Sequence, residues 1–155
     1  MSAPNSLPKA LIQAVASHAQ ETGWFRGGVA TAEPKSAPNS DTSFAVWASS
    51  ARPVQSSGLI STSFRIELAG RIYIDMMREP IDDIDPEIMA VAWDLLTKYS
   101  SGFTLGGLVR QVDLFGSEGD ALGLEFGYIA IDRQLFRVAT FVIPLIVNDQ
   151  FDQGV

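Results

Sequence analysis

The sequence predicts an α+β domain, in which one mainly antiparallel β-sheet carries two helices on one face and has long loops between its strands. Two segments place apolar residues at helical spacing, and six shorter ones are rich in the β-branched and aromatic residues that strands favour. Polar stretches rich in Gly, Pro and Ser separate them. The 155 residues fit a single domain, 1–155, with flexible ends at 1–5 and 149–155.

The first helix is predicted over residues 6–21. Ser6 suits the N-cap, and Pro8 lies in the first turn, where its missing N–H costs nothing. Gly23 suits the position just after the helix. One face carries the apolar residues and the only histidine: Leu7, Leu11, Ala14, Val15 and His18.

Three strands are predicted to follow. A short run covers residues 24–31, residues 43–48 form the next strand, and residues 62–74 form the clearest one, because apolar and polar residues alternate along it. Gly70 in the middle of that strand predicts a bulge or the close approach of another backbone. The polar stretches 33–41 and 49–61 are predicted to be loops.

The second helix is predicted to open at Asp85-Pro86-Glu87, with Asp85 as the N-cap, and to stop at residues 100–102. Its apolar stripe is Ile88, Val91, Ala92, Leu95 and Tyr99. Strands are predicted over residues 109–115 and 121–131, with a turn at 116–120 between them.

The predicted fold is built around the last hairpin, residues 127–147. Its two β-rich runs flank the polar triplet 132–134, a suitable length for a hairpin loop. The second run is apolar on both faces and therefore needs cover on both. Pro144 cannot donate to a β-ladder, so we expect the strand to lie at a sheet edge or to leave the sheet there. An unpaired edge suggests that a partner chain supplies part of the cover.

The composition points to a protein that assembles. An apolar fraction of 46% is high for a small domain, and we interpret the surplus as surface buried in an assembly. The formal charge of −7 disfavours tight binding to a phosphate backbone. A negatively charged protein that surrounds DNA would, however, let the duplex slide through its lumen. No residue run is long enough to span a bilayer, and the N-terminus lacks signal-peptide features, so the simplest compartment is the cytoplasm.

No catalytic, cofactor or metal site is predicted. His18 lies on an apolar helix face, where a packed residue is the better interpretation. Without Cys and with one His, zinc sites and Cys-His pairs fail. Six acids between Asp75 and Glu87 do not match a calcium-loop spacing and read as a solvated loop with a charged helix start. The aromatics near Trp24 and Trp47 lack the basic surroundings of a base-stacking site, so packing or a subunit interface fits better.

Several short motifs occur in a characteristic order. They begin with Thr22-Gly23-Trp24-Phe25 and Ala32-Glu33-Pro34-Lys35, and continue through Ser57-Gly58-Leu59, Arg71-Ile72-Tyr73, Glu79-Pro80, Asp85-Pro86 and Val112-Asp113-Leu114-Phe115-Gly116 to Gly127-Tyr128-Ile129, Phe136-Arg137-Val138, Ile143-Pro144 and Val147-Asn148-Asp149. Over about residues 7–149, the sequence resembles the tail terminator proteins of long-tailed, siphovirus-type bacteriophages, especially those infecting actinobacteria.

The resemblance implies a non-enzymatic α+β subunit of a closed, usually hexameric ring in the virion. Such a ring caps the major tail tube protein, ends tube polymerisation and presents a surface to the head-completion or stopper protein, while DNA passes through the lumen without specific binding. The alternatives are another head–tail connector component, a small ligand-binding or enzymatic α+β domain, and a nucleic-acid binder, against which the negative charge speaks.

Two hypotheses concern the interfaces of such a ring. The loops 33–41 and 52–61 are too long to be mere connectors and are expected to lie between subunits or against the next ring. Pro144 and the edge before it are expected near a subunit contact. The residues expected at interfaces are Trp24, Phe25, Glu33, Pro34, Arg52, Arg71, Arg137 and Pro144.

Overall fold

The computed structural model describes residues 7–38, 41–54, 61–101, 109, 111–113, 115–116 and 121–152. In chain order they form helix α1 (Leu7–Glu21), strands β1 (Val29–Ala30), β2 (Ser43–Val54) and β3 (Ser61–Asp75), a 3₁₀ turn (Ile81–Asp83), helix α2 (Ile84–Ser100), and strands β4 (Gln111–Val112), β5 (Gly123–Ile131) and β6 (Gln134–Asp152). The described strands form one sheet in the order β1-β2-β3-β6-β4, with β5 also paired to β6. Only the β1–β2 pairing is parallel, so the predicted α+β class and mainly antiparallel sheet are confirmed.

Strand β6 is central rather than at an edge. It pairs with β3 along most of its length, and on its other side with β5 up to Val142 and with β4 from Leu145. Pro144 lies where the partner changes, and its carbonyl accepts the Asp113 N–H at 2.9 Å. Because the N and O atoms of one strand residue point to the same side, the missing Pro144 N–H faces this gap and no bond to β3 is lost. The prediction of an edge at Pro144 is therefore wrong.

Both helices pack on one face of the sheet, as predicted. One apolar cluster joins α1 through Leu11 and Val15, α2 through Ile88 and Leu95, and the sheet through residues such as Phe141. The predicted apolar stripe of α2 is buried throughout. The helix-free face has a smaller cluster, Ala45, Tyr73, Phe136 and Val138, against which Ala37 packs. Cover on both faces of β6 is thus present among the described residues, and the helix-free face has the smaller apolar cluster.

Helix boundaries follow the local signals closely. Gly23 adopts φ +80 just beyond α1, a left-handed conformation that glycine accepts without strain. Helix α2 begins at Ile84 after Asp83, so Asp85 lies in the first turn instead of serving as the predicted N-cap. The Asp83 side chain makes no cap hydrogen bond. The predicted N-cap Ser6 lies outside the described residues.

Several strand boundaries differ from the predictions. Strand β2 continues through residues 49–54, which were predicted as loop. Among the described residues of the predicted strand 109–115, Gln111 and Val112 form β4. The hairpin loop between β5 and β6 contains only Asp132 and Arg133, with φ 51 and 64, as in a type I′ turn. Strand β6 continues to Asp152. Residues 1–5, 39–40, 55–60 and 153–155 lie outside the described part of the chain.

Gly70 permits the close packing of β3 against neighbouring side chains. A Cβ atom there would lie 2.8 Å from Phe44 Cζ and 3.3 Å from Ile143 Cδ1. Phe44 is buried and stacks on Phe25 at a ring-centroid distance of 5.1 Å, so it has little room to move. Neither predicted explanation describes Gly70, because its close neighbours are side chains rather than another backbone. The register shifts of β3 and its partners lie elsewhere, at Ala48/Ser50 and Thr62/Phe64.

Substituting Gly70 with Ala should destabilise the fold by about 1–3 kcal/mol, because the added methyl group overpacks the core. Gly127→Ala in β5 is the matched control, since its Cβ would meet nothing within 4 Å. Urea unfolding of the two variants and the parent measures the difference. Equal stability of the two variants would contradict the packing role assigned to Gly70.

Candidate interaction surface

Large apolar side chains remain exposed on one side of the molecule. We call seven of these side chains, all among the described residues, the α2–β5 surface: Met77 (82% exposed), Ile81 (59%), Met89 (59%), Trp93 (69%), Phe126 (41%), Tyr128 (57%) and Leu135 (47%). Exposed apolar side chains scattered singly need no explanation, but exposed apolar side chains that lie close together are typical of a protein-binding surface.

The helix and the strand parts of this surface meet at Arg137. Its Nε donates to Asp85 Oδ1 at 2.9 Å, which links β6 to the first turn of α2. Its guanidinium carbon lies 4.6 Å from the ring centroid of Tyr128 and 5.8 Å from that of Phe126. Asp85, Met89 and Trp93 succeed one another at steps of four residues and therefore share one side of α2. Arg137 thus joins the exposed side of α2 to the exposed rings of β5.

The turn after β3 extends the same surface. The Met76 N–H donates to the Leu135 carbonyl at 3.0 Å, which places the neighbouring Met77 beside the start of β6. Leu135 pairs with Ala130 in the hairpin, two residues along from the pair Tyr128–Arg137, so Leu135 and Arg137 point to the same face. The surface therefore runs from the β3–α2 connection across the β5–β6 hairpin.

The opposite flank of α2 is polar and paired. Asp94 accepts from Trp24 Nε1 at 3.0 Å and from Lys98 Nζ at 2.8 Å, and these hydrogen bonds, the one from Lys98 first, lower the pKa of Asp94. Glu87 accepts from the Thr42 hydroxyl at 2.6 Å and pairs with Arg78. Because these contacts attach α2 to its surroundings on one side, the apolar side is the one left available.

His18 packs between the two helices, as its position in α1 predicts. Its ring lies 5.7 Å from that of Tyr99 in α2. Burial lowers the pKa of His18, and the nearby Lys98 lowers it further. A neutral imidazole held against an aromatic ring is a packing group in this setting.

Three of the six acidic residues from Asp75 to Glu87 have structural partners. Asp75 is buried and accepts from the Met77 N–H at 2.9 Å and from Gln134 Nε2 at 2.7 Å. Asp85 and Glu87 pair with arginines. Within the described ranges, no three His, Cys, Asp or Glu side chains are grouped so that they could hold a metal ion.

The structure does not bring the predicted interface residues together. Glu33, Pro34 and Arg71 lie on the helix-free face, where the Arg71 guanidinium is 3.9 Å from Glu33 and 5.4 Å from the Trp47 ring centroid. Arg71 Nε also donates to Thr140 Oγ1 at 3.0 Å. These contacts hold residues 31–38 against the sheet.

The other predicted residues are spread widely. Trp24 is 38% exposed beside α2, and Arg52 is exposed on β2. Phe25 and Pro144 are buried by the chain itself and offer no side-chain surface. Of the predicted set, Arg137 contacts the α2–β5 surface, through the rings of Tyr128 and Phe126.

Sequence reasoning missed the seven apolar residues of this surface. A usable signal exists in α2, where Met89 and Trp93 lie outside the apolar stripe that packs on the sheet. A second signal is the alternation in β5, which puts Phe126 and Tyr128 on one face. Neither signal distinguishes a second buried face from an exposed one.

No family model matches the chain, and a search of curated proteins finds no match either. In the part of the chain that the structure describes, no helix has the length and apolar character needed to cross a membrane.

The single histidine permits a clean test of its packing role. Because the pKa of His18 is lower in the folded state, the unfolded chain binds more protons and stability falls as the pH drops below about 6.5. The loss levels off below the folded-state pKa. Urea midpoints between pH 7.5 and 5.5 should show this decrease, and His18→Gln should flatten it. A parent protein that becomes more stable as the pH falls through this window would contradict the assignment.

Proposed function

We propose that this chain is a structural subunit of a closed homo-oligomeric ring, and that the ring is a bacteriophage tail terminator at the head-proximal end of the tail. The α2–β5 surface is the observation that carries the proposal, because copies of the same chain would cover its apolar side chains. The assignment to tail terminators rests on the ordered motifs described above. The α+β class that this resemblance implies agrees with the fold.

The free edges of the sheet support contact between copies. Among the described residues, β5 pairs only with β6, and β2 has no partner on its outer side beyond Ala45. Strands β2 and β5 run antiparallel to each other, because three antiparallel pairings separate them. A neighbour's β2 placed beside β5 would therefore continue the sheet. Contacts between two different edges are head-to-tail, and such contacts generate rings when the rotation closes.

The proposed partners follow from the position of such a ring. The major tail tube protein would contact one side and the head-completion or stopper protein the other. DNA would pass through the lumen, where the net charge of −7 disfavours tight binding. In this proposal the protein acts by covering the end of the tube, and it performs no chemistry.

Self-assembly is testable on the purified chain. The parent protein should form a closed oligomer. In the double variant Trp93→Ser/Tyr128→Ser, the association constant of the subunits should be lower by at least about tenfold, so the oligomer should dissociate. Phe115→Ser is the matched control: Phe115 is 93% exposed but follows β4, at the far end of β6 from Arg137. Light scattering coupled to size-exclusion chromatography measures the mass. A parent that stays monomeric with and without the tube protein would overturn the ring.

The terminator role needs a separate measurement, because another neck component would also assemble. In a phage that encodes this chain, deleting its gene should give tails of uncontrolled length, since nothing would stop tube polymerisation. Electron microscopy of lysates measures tail length directly. Particles with tails of normal length but without attached heads would instead identify a head–tail connector of another kind.

A further inference from the structure

Strands β2 and β5 each carry one charged side chain, and the two charges are opposite. Arg52 is the only charged residue of β2, and Glu125 is the only one of β5. Both side chains are exposed. A charge on an edge strand ordinarily discourages pairing with a second chain, but opposite charges attract when two edges meet. The two edges are therefore electrostatically complementary.

Neither charge is neutralised by the residue opposite it in the chain's own sheet. Arg52 lies opposite another arginine, Arg65, in the β2–β3 pair. Arg65 is itself buried and donates from Nε to Asp113 Oδ2 at 3.1 Å. Glu125 lies opposite the neutral Thr140 in the β5–β6 pair. Because like charges directly opposite each other are unfavourable, a carboxylate brought to Arg52 from outside would stabilise it.

The two charged side chains point to the same face of the sheet. The β3 partner of Ala51 and the β6 partner of Leu124 both belong to the apolar cluster under the helices. Ala51 and Leu124 therefore point to the helix-bearing face. Arg52 and Glu125, one residue further along each strand, point to the helix-free face. If the sheet continues from one copy to the next, the two charges lie on one side of it.

We infer that Arg52 of one copy forms an ion pair with Glu125 of the partner subunit, and that this pair sets the register of the β2–β5 contact. The inference rests on the proposed ring, since it names the contact that joins neighbouring subunits. The partner is a second copy of this chain, because the complementary charges and the antiparallel edges are both present in one subunit.

Strand β2 contains one extra residue that this register has to accommodate. In the β2–β3 ladder, Ala48 and Ser50 lie opposite consecutive residues of β3, so Ser49 has no partner in that ladder. Ala48 and Ala51 consequently point to the same, helix-bearing face, and their β3 partners both belong to the cluster under the helices. A neighbour's β5 has to pass over Ser49 in the same way, since its faces would otherwise be reversed beyond that point.

The resulting register places small side chains of β2 opposite the exposed rings of β5. Counted from the ion pair, Ala51 meets Phe126 and Ala48 meets Tyr128 of the partner subunit. Both alanines are exposed in the single chain, so the contact buries apolar surface from both copies. Pro53 cannot donate to a ladder, and the hydrogen-bonded part of the contact therefore stops before it.

A charge exchange tests the ion pair. Arg52→Glu and Glu125→Arg should each lower the association constant of the subunits by about tenfold at low salt, since like charges then lie opposite each other. The double variant Arg52→Glu/Glu125→Arg should restore association, because the pair is formed again with its charges exchanged. Lys9→Glu, at an exposed position of α1, makes the same change in charge as Arg52→Glu and is the matched control. Sedimentation velocity measures the association.

Disulfide cross-linking tests the register directly, and the chain has no cysteine that would interfere. Under mild oxidation, subunits carrying Arg52→Cys/Glu125→Cys should join into linked oligomers, because directly opposite residues lie within reach of a disulfide. Ser50→Cys/Glu125→Cys is offset by two residues and should stay largely unlinked. Denaturing electrophoresis without reductant measures both.

The outcomes separate the ion pair from the ring itself. Rings that persist unchanged in both single exchange variants, or a double exchange that fails to restore association, would overturn the ion pair and leave the ring standing. Cross-linking by the offset pair in preference to the opposite pair would overturn the register. A parent that stays monomeric with and without the tube protein would overturn the ring, and the ion pair with it.

Discussion

The pairing of β3 with β6 is the constraint on which the rest of the fold depends. It runs from Ser61–Asp152 to Asp75–Phe136, and its helix-facing side chains form the floor under both helices. Strand β2 extends this floor on one side, while β5 and β4 extend it on the other. The two faces of this pair pack against different sets of side chains. A shift of the pairing register by one residue would therefore move every core side chain of β6 to the wrong face.

Local signals predict the elements whose sequence and environment agree. Strand β3 alternates cleanly because one face meets the helices, and α2 carries a complete apolar stripe because it packs on a flat sheet. Gly23 and Gly70 were informative because a left-handed turn and a crowded core each demand the absence of a side chain. These features decide the fold class, which the sequence therefore predicts well.

The errors arise where tertiary pairing overrides local preference. Residues 49–53 of β2 have turn-like composition, yet they are held extended by pairing with β3. Pro144 is tolerated in a central strand because its missing donor faces a change of partner, which no local rule reveals. The α2–β5 surface was missed for a related reason: Met89, Trp93 and Phe126 are residues that a core would also use, and only the packing shows that they are exposed.

The unequal flanks of α2 have a consequence for recognition. Asp94 and Glu87 fix one side of the helix through Trp24, Lys98 and Thr42, while Asp85 fixes its start through Arg137. These contacts oppose rotation of α2 about its axis, so the backbone that carries its exposed side chains keeps one orientation. A partner that docks on such a preorganised face loses little conformational entropy on binding, so more of the free energy gained from apolar contact remains as affinity.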